Sequence, residues 1–172
     1  MRLGYIPDAR DLDSDDGYTI DGSKMTGLKS KIENPVNFGA TGTVETEIIL
    51  VPITANPISK TALDNLNLDA VFIGGIDKTP TLESWLSSAE FSAIKTWSLD
   101  PNKTVIVTQA SSVNWGRNLI TGNANPDKPN GIGAATSIFS GPFGTVTQFN
   151  QGGSYQAIYT ADTSKNDAVL AL

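Results

Sequence analysis

Six aspartates between residues 8 and 21 form the stretch of this sequence whose side chains are best suited to chemistry. They alternate with small residues and two glycines, Gly17 and Gly22. Calcium takes about 6–8 oxygen ligands, and alternate aspartates can converge when the chain turns around the ion. The spacing therefore predicts a calcium site in this loop, with the following ligands: Asp11, Asp13, Asp15 and Asp16.

The register of this loop differs from that of an EF-hand. Asp16 stands where the EF-hand loop has its glycine, and no glutamate follows at the position of the bidentate ligand. An acidic loop that is solvated and holds no metal also accounts for the composition. Both interpretations stay open at the level of the sequence.

A second set of polar residues follows two of the predicted strands. These residues are Asp77, Ser111, Ser112, Asn114 and Trp115. In an open parallel sheet, ligands bind beyond the carboxyl ends of the strands, so we expect this set to share one edge with the acidic loop. We call this second set the rim, and its polar and aromatic side chains suit a cation, a sugar or a peptide. Trp115 either stacks on a sugar ring or packs back onto its own domain.

The sequence contains no histidine and no cysteine. A serine nucleophile at Ser111 or Ser112 would therefore lack a histidine base, and no lysine is marked out to replace it. Glycosidases need only two carboxylates. Asp77, Glu83 and the loop aspartates leave open a second function, a carbohydrate-active hydrolase with a carboxylate pair at the strand ends.

Hydrophobic runs and helical periodicity place these residues on an alternating α/β framework. We predict strands at residues 3–6, 46–53, 69–76 and 103–108, and helices at 23–32 and 59–66. Between 81 and 97 we predict a first helical segment and a second one that restarts at residues 87–90. Such alternation specifies a mostly parallel sheet with helices on both faces. A hairpin of residues 145–150 and 155–161 and an apolar strand at 167–172 complete the prediction.

Three local patterns are specific enough to check. Met25, Leu28 and Ile32 have the spacing of one buried helical face. The apolar run at 46–53 predicts a strand that is covered on both faces. Finally, the stretch from Ser87 to Glu90 has the form of a capping box that starts a helix.

The order of elements resembles flavodoxin-like domains of the class I glutamine amidotransferase-like superfamily, as found in exported bacterial proteins. This resemblance implies a three-layer α/β sandwich, and it also implies that the amidotransferase chemistry is missing, since the catalytic cysteine and histidine of that superfamily have no counterpart. The strings that carry it are Asn37-Phe38-Gly39, residues 68–74, Ile94-Lys95-Thr96-Trp97, residues 104–108 and residues 140–144.

Charge and composition narrow the classes of partner. The net charge is −6, and no basic run is present to neutralise nucleic-acid phosphates. No apolar stretch approaches the ~20 residues that a membrane-spanning helix needs. Neither a G-x-G-x-x-G nor a P-loop motif occurs, which argues against a nucleotide or flavin cofactor.

Together these features predict a single domain, residues 1–172, of a larger secreted or cell-surface bacterial protein. We expect Met1 to begin an excised domain and the natural polypeptide to continue past Leu172, because its last residues are apolar. The expected role is non-catalytic: adhesion, polymer binding or assembly. Expected partners are a polysaccharide, a protein surface, or another chain that pairs with the apolar C-terminal strand.

Overall fold

A computed structural model describes residues 1–10, 18–74, 86–107, 119–120, 140–145 and 158–159. The chain divides into two compact units, Met1–Gly116 and Arg117–Leu172. The four predicted calcium ligands and the predicted rim residues lie outside the described ranges. The first unit holds every described helix and the main sheet.

Four parallel strands make the sheet of the first unit. They are β1 (Arg2–Tyr5), β2 (Ile49–Pro52), β3 (Ala70–Ile73) and β4 (Thr104–Val107), in the order β2-β1-β3-β4. The register pairs Leu3 with Leu50 on one side and with Ala70 on the other. This order matches the first four strands of the flavodoxin-like arrangement, so the prediction of an α/β fold with a parallel sheet is confirmed.

The pleat of β3 divides the hydrophobic core into two layers. Val71 and Ile73 belong to one buried cluster, and Ala70 and Phe72 belong to the other. Successive side chains of a strand point to opposite faces, so a fully buried strand must be apolar at every position. All four β3 residues are buried, which is why this segment reads as an unbroken apolar run.

Helices cover both faces. The helices α2 (Lys60–Asn65) and α3 (Ser88–Trp97) pack on the face of Val71, while α1 (Thr26–Ile32) lies on the face of Phe72. Ser59 caps α2 by accepting a hydrogen bond from the amide of Ala62. The predicted capping box at the start of α3 is confirmed, because both of its reciprocal hydrogen bonds form.

Two of the local expectations were wrong. Leu28 is 39% exposed, and the residues that pack against the core here, Met25 just before α1 and Ile32 at its end, are only partly buried. Strand β2 is shorter than predicted, and it lies at the edge of the sheet, so Ile49 is 42% exposed. An edge strand has a neighbour on one side only. Pro52, which has no N–H to offer, is typical of that position.

In the second unit, the described residues form two short antiparallel pairs. Strand β5 (Leu119–Ile120) pairs with β8 (Ile158–Tyr159), and β6 (Ser140–Gly141) pairs with β7 (Gly144–Thr145). Gly144 has a φ of 110°, a conformation that favours glycine in this tight turn. The predicted pairing of 145–150 with 155–161 lies largely outside the described residues. No helix in the described ranges is long and apolar enough to span a membrane.

Candidate functional site

Asp8 and Asp21 bring the two ends of the acidic loop together. Asp8 follows β1, at the edge of the sheet where the parallel strands end. Its backbone N–H donates to Asp21 Oδ1 at 3.0 Å. This hydrogen bond joins the described ends of the loop, residues 8–10 and 18–21.

The hydroxyl of Thr19 lies between the two carboxylates. Thr19 Oγ1 is 3.0 Å from Asp8 Oδ1 and 2.9 Å from Asp21 Oδ1. A hydroxyl carries one proton, so it can donate to only one of these oxygens at a time. Thr19 is 3% exposed. We call Asp8, Thr19 and Asp21 the loop base.

Gly74, the first residue after β3, packs against the returning end of the loop. A side chain at this position would clash with the backbone carbonyl of Tyr18 and would also press on Thr19. Glycine is needed here because two backbone segments meet at this point.

Arg10 and Glu90 form a largely buried ion pair, and Arg10 lies two residues after Asp8. Arg10 Nη2 lies 2.7 Å from Glu90 Oε1, and their side chains are 14% and 5% exposed. The guanidinium also donates to the carbonyl of Ala55 and to Asn56 Oδ1, each at 3.2 Å. One side chain therefore joins three segments that are distant in sequence: the residues after β1, those after β2, and the start of α3.

Glu90 has a full set of donors. Its Oε1 accepts the backbone N–H of Ile58 at 2.8 Å, and its Oε2 accepts the backbone N–H and the hydroxyl of Ser87 at 2.8 and 3.0 Å. Burial alone raises the pKa of this carboxyl. The hydrogen bonds from Ile58, Ser87 and Arg10 outweigh that effect and lower its pKa to about 2. Glu90 is thus a permanently charged anchor and not a proton donor at neutral pH.

Two tyrosines lie near the loop base. Burial raises the pKa of Tyr5, and the carboxylates of Asp21 and Glu33 raise it further. The ammonium of Lys24 lies 4.5 Å from the centre of the Tyr18 ring, a cation–π contact. Lys24 therefore holds the ring at the point where the loop rejoins the domain.

An open groove of about 490 Å³ lies along α1. Its lining is polar and consists of Thr26, Lys29, Ser30, Glu33, Asn34 and Pro35. The charged pair in it, Lys29 and Glu33, is separated by 3.9 Å and is solvent-exposed. None of the lining residues belongs to the loop base, and we assign no role to this groove.

Three residues that hold the described ends of this loop were not predicted from the sequence as site residues. The metal ligands predicted from the sequence, Asp11, Asp13, Asp15 and Asp16, lie outside the described residues, as do the rim residues Asp77, Ser111, Ser112, Asn114 and Trp115. The missed residues are Thr19, Arg10 and Glu90. Arg10 carried a usable signal, since it is the sole cation between residues 7 and 23.

Within the described part of the chain, no three acidic side chains are grouped so as to hold a metal ion. Two carboxylates and a hydroxyl at the loop base are what this part contributes to the candidate site. No protein-family model matches the chain, and neither a curated protein nor a solved structure matches it.

Proposed function

We propose that this chain is a non-catalytic binding module of a secreted or cell-surface bacterial protein, and that calcium binds in its acidic loop. The observation that supports the metal is the loop base. Asp8 and Asp21 each place a carboxylate oxygen within 3.0 Å of Thr19 Oγ1, which has a single proton to share. Two carboxylates held this close together repel each other, and a bound cation would offset that repulsion.

The position of the loop supports a binding role. It follows β1 at the carboxyl edge of a parallel sheet, where open α/β domains bind ligands. Among the described residues, Glu90 has the most strongly shifted pKa, because hydrogen bonds to both of its carboxylate oxygens stabilise the charged form. A group so fully engaged anchors the surrounding loops and has no free oxygen to offer a substrate.

The proposed calcium binding is tested by measuring the thermal stability of the chain with and without calcium. At a calcium concentration about a hundredfold above the Kd, binding stabilises the folded chain by about 2.7 kcal/mol. For a protein of this size, that corresponds to a rise in Tm of roughly 5–10 °C over the value in chelator. An unchanged Tm in millimolar calcium would remove calcium from the proposal.

The matched variants separate the loop from general charge effects. D11N/D13N/D15N neutralises three loop carboxylates, and E45Q/E47Q/D64N neutralises three exposed carboxylates elsewhere. Calcium should stabilise the second variant as it does the wild type, and the first should show no calcium response. If both variants lose the response equally, the effect comes from net charge and not from a site.

As the binding partner we propose a polysaccharide or a protein surface, which would bind at the predicted rim. Trp115 is the rim residue best suited to stack on a sugar. Cosedimentation with insoluble cellulose and chitin compares W115A with F143A, which removes an aromatic side chain that is 56% exposed. Loss of binding in W115A alone would support a sugar-binding rim, whereas no cosedimentation by the wild type would direct the search to protein partners.

A carbohydrate-active hydrolase is the second candidate, and the loop base gives it one supporting observation. Two carboxylates that reach the same hydroxyl lie close enough together to be compared with the pair in glycosidases. Reducing sugar released from a soluble polysaccharide by the wild type, and lost in D8N and D21N, would replace the non-catalytic proposal with this one.

A further inference from the structure

Three segments of the first unit meet at the side chains of Arg10 and Glu90. They are residues 8–10 after β1, residues 55–58 after β2, and residues 87–90 at the start of α3. In open α/β domains, the segments that follow the strands carry the contacts to ligands. The way in which these three segments are joined therefore bears on how this edge of the sheet can move.

The middle segment is held from both sides of the ion pair. The guanidinium of Arg10 donates to the carbonyl of Ala55 and to Asn56 Oδ1, each at 3.2 Å. Glu90 Oε1 accepts Arg10 Nη2 at 2.7 Å and the backbone N–H of Ile58 at 2.8 Å. A movement of any one segment therefore breaks a hydrogen bond to at least one of the other two.

Burial makes it costly for one segment to move alone. The side chains of Arg10 and Glu90 are 14% and 5% exposed. When one partner of a buried ion pair moves away, the charge that stays behind is left uncompensated, which costs more than the loss of an ordinary hydrogen bond. States in which a single segment has opened are therefore disfavoured relative to states in which all three are closed or all three are open.

We propose that the Arg10–Glu90 pair is a conformational clamp, which makes the segments after β1, after β2 and at the start of α3 open and close as one unit. A ligand that held one of these segments in place would then hold all three. The clamp requires no bound metal ion, so it is independent of the proposed calcium site.

The experiment loosens one segment and follows the other two. S87A removes the hydroxyl that caps α3 and lies 3.0 Å from Glu90 Oε2. S59A is the matched control, because Ser59 caps α2 in the same way, through the amide of Ala62, and lies outside the three segments. Each variant loses one serine cap, and the two differ in whether that cap belongs to the clamp.

Hydrogen exchange of backbone amides, measured on the full chain by nuclear magnetic resonance, reports on each segment. The reporters are the amides of Arg10, Ile58 and Phe91, each of which donates a hydrogen bond within or between the segments. The amide of Val71, in the interior strand β3, reports on unfolding of the sheet. In the wild type, the clamp predicts equal protection for the three reporters and stronger protection for Val71.

Loss of the cap at Ser87 should be felt by all three segments. Removal of a serine cap shifts the opening equilibrium of the structure that contains it by about fivefold. In S87A, exchange at Arg10, Ile58 and Phe91 should therefore rise by the same factor, about fivefold. In S59A, exchange at Ala62 should rise while Arg10 and Phe91 keep their wild-type rates.

R10M tests whether Arg10 carries the coupling. Without the guanidinium, the further change S87A should raise exchange at Phe91 and leave the amide at position 10 unaffected. If R10M does not fold, the response to S87A in the wild-type background decides the question by itself.

Three results would overturn the clamp. The first is an S87A variant in which exchange rises at Phe91 and not at Arg10, because the segments then open separately. The second is equal protection of the reporters and Val71, because the segments then open only when the sheet unfolds. The third is a response at position 10 that persists in R10M, because another contact then transmits it.

Discussion

Arg10 and Glu90 lie 80 positions apart in the sequence, and their side chains meet at 2.7 Å. Each belongs to a short segment at the carboxyl edge of the sheet, one after β1 and one at the start of α3. The pair therefore links the segment after β1 to the start of α3. The predictions below concern this arrangement and the contacts around it.

Truncation of Glu90 should be far more costly than truncation of an exposed carboxylate. In E90A, Arg10 loses its buried partner, and the amides of Ile58 and Ser87 lose their acceptor. We expect the free energy of unfolding to fall by about 3 kcal/mol. The control, D64A, breaks an exposed pair and should cost less than about 1 kcal/mol. Urea unfolding measures both, and similar losses would contradict the assignment of Glu90 as an anchor.

The contribution of Glu90 should depend on pH in a defined window. Its pKa is about 2 in the folded chain against an ordinary value of 4.5, so the folded state favours the charged form. The stabilisation is complete above the ordinary pKa and is lost as the pH falls through about 4.5 towards 2. E90Q cannot titrate at this position. The stability difference between wild type and E90Q should shrink across that window, and a constant difference would contradict the assigned shift.

Substitution of Gly74 should be damaging where substitution of Gly27 is not. An alanine methyl at Gly74 would meet the backbone of Tyr18 and Thr19, which cannot move without shifting the loop base. We expect G74A to lose about 1–3 kcal/mol of stability. Gly27 lies in α1 with open space around it, so G27A should gain roughly 0.5–1 kcal/mol from helix propensity. Thermal unfolding of the two variants provides the comparison, and a neutral G74A would mean that the contact relaxes freely.

Removal of the Thr19 hydroxyl should destabilise the loop base. T19V keeps the shape of the side chain but leaves Asp8 and Asp21 without their shared donor. The expected loss is about 1–3 kcal/mol of unfolding free energy. T54V, at an exposed position, should stay within about 0.5 kcal/mol of the wild type. Equal values for both variants would show that the hydroxyl contributes nothing.

Much of the fold could be predicted because its signals are local. The periodicity of α2, the capping box of α3 and the apolar run of β3 each lie within a few residues, and each was found where expected. The apolar run containing β2 was misjudged because a strand at the edge of a sheet and one in its centre can share the same composition. The prediction that Leu28 is buried was wrong because helical spacing alone does not say which side of a helix faces the sheet.

The sequence by itself determined the class of the protein: an acidic chain without histidine or cysteine, alternating strands and helices, with a cluster of aspartates after the first strand. Only the tertiary structure decided which residues hold the described ends of that stretch in place. Thr19, Arg10 and Glu90 do so through contacts across up to 80 positions, and Thr19 and Glu90 are buried. Such contacts depend on strand order and loop path, which local patterns in a sequence do not encode.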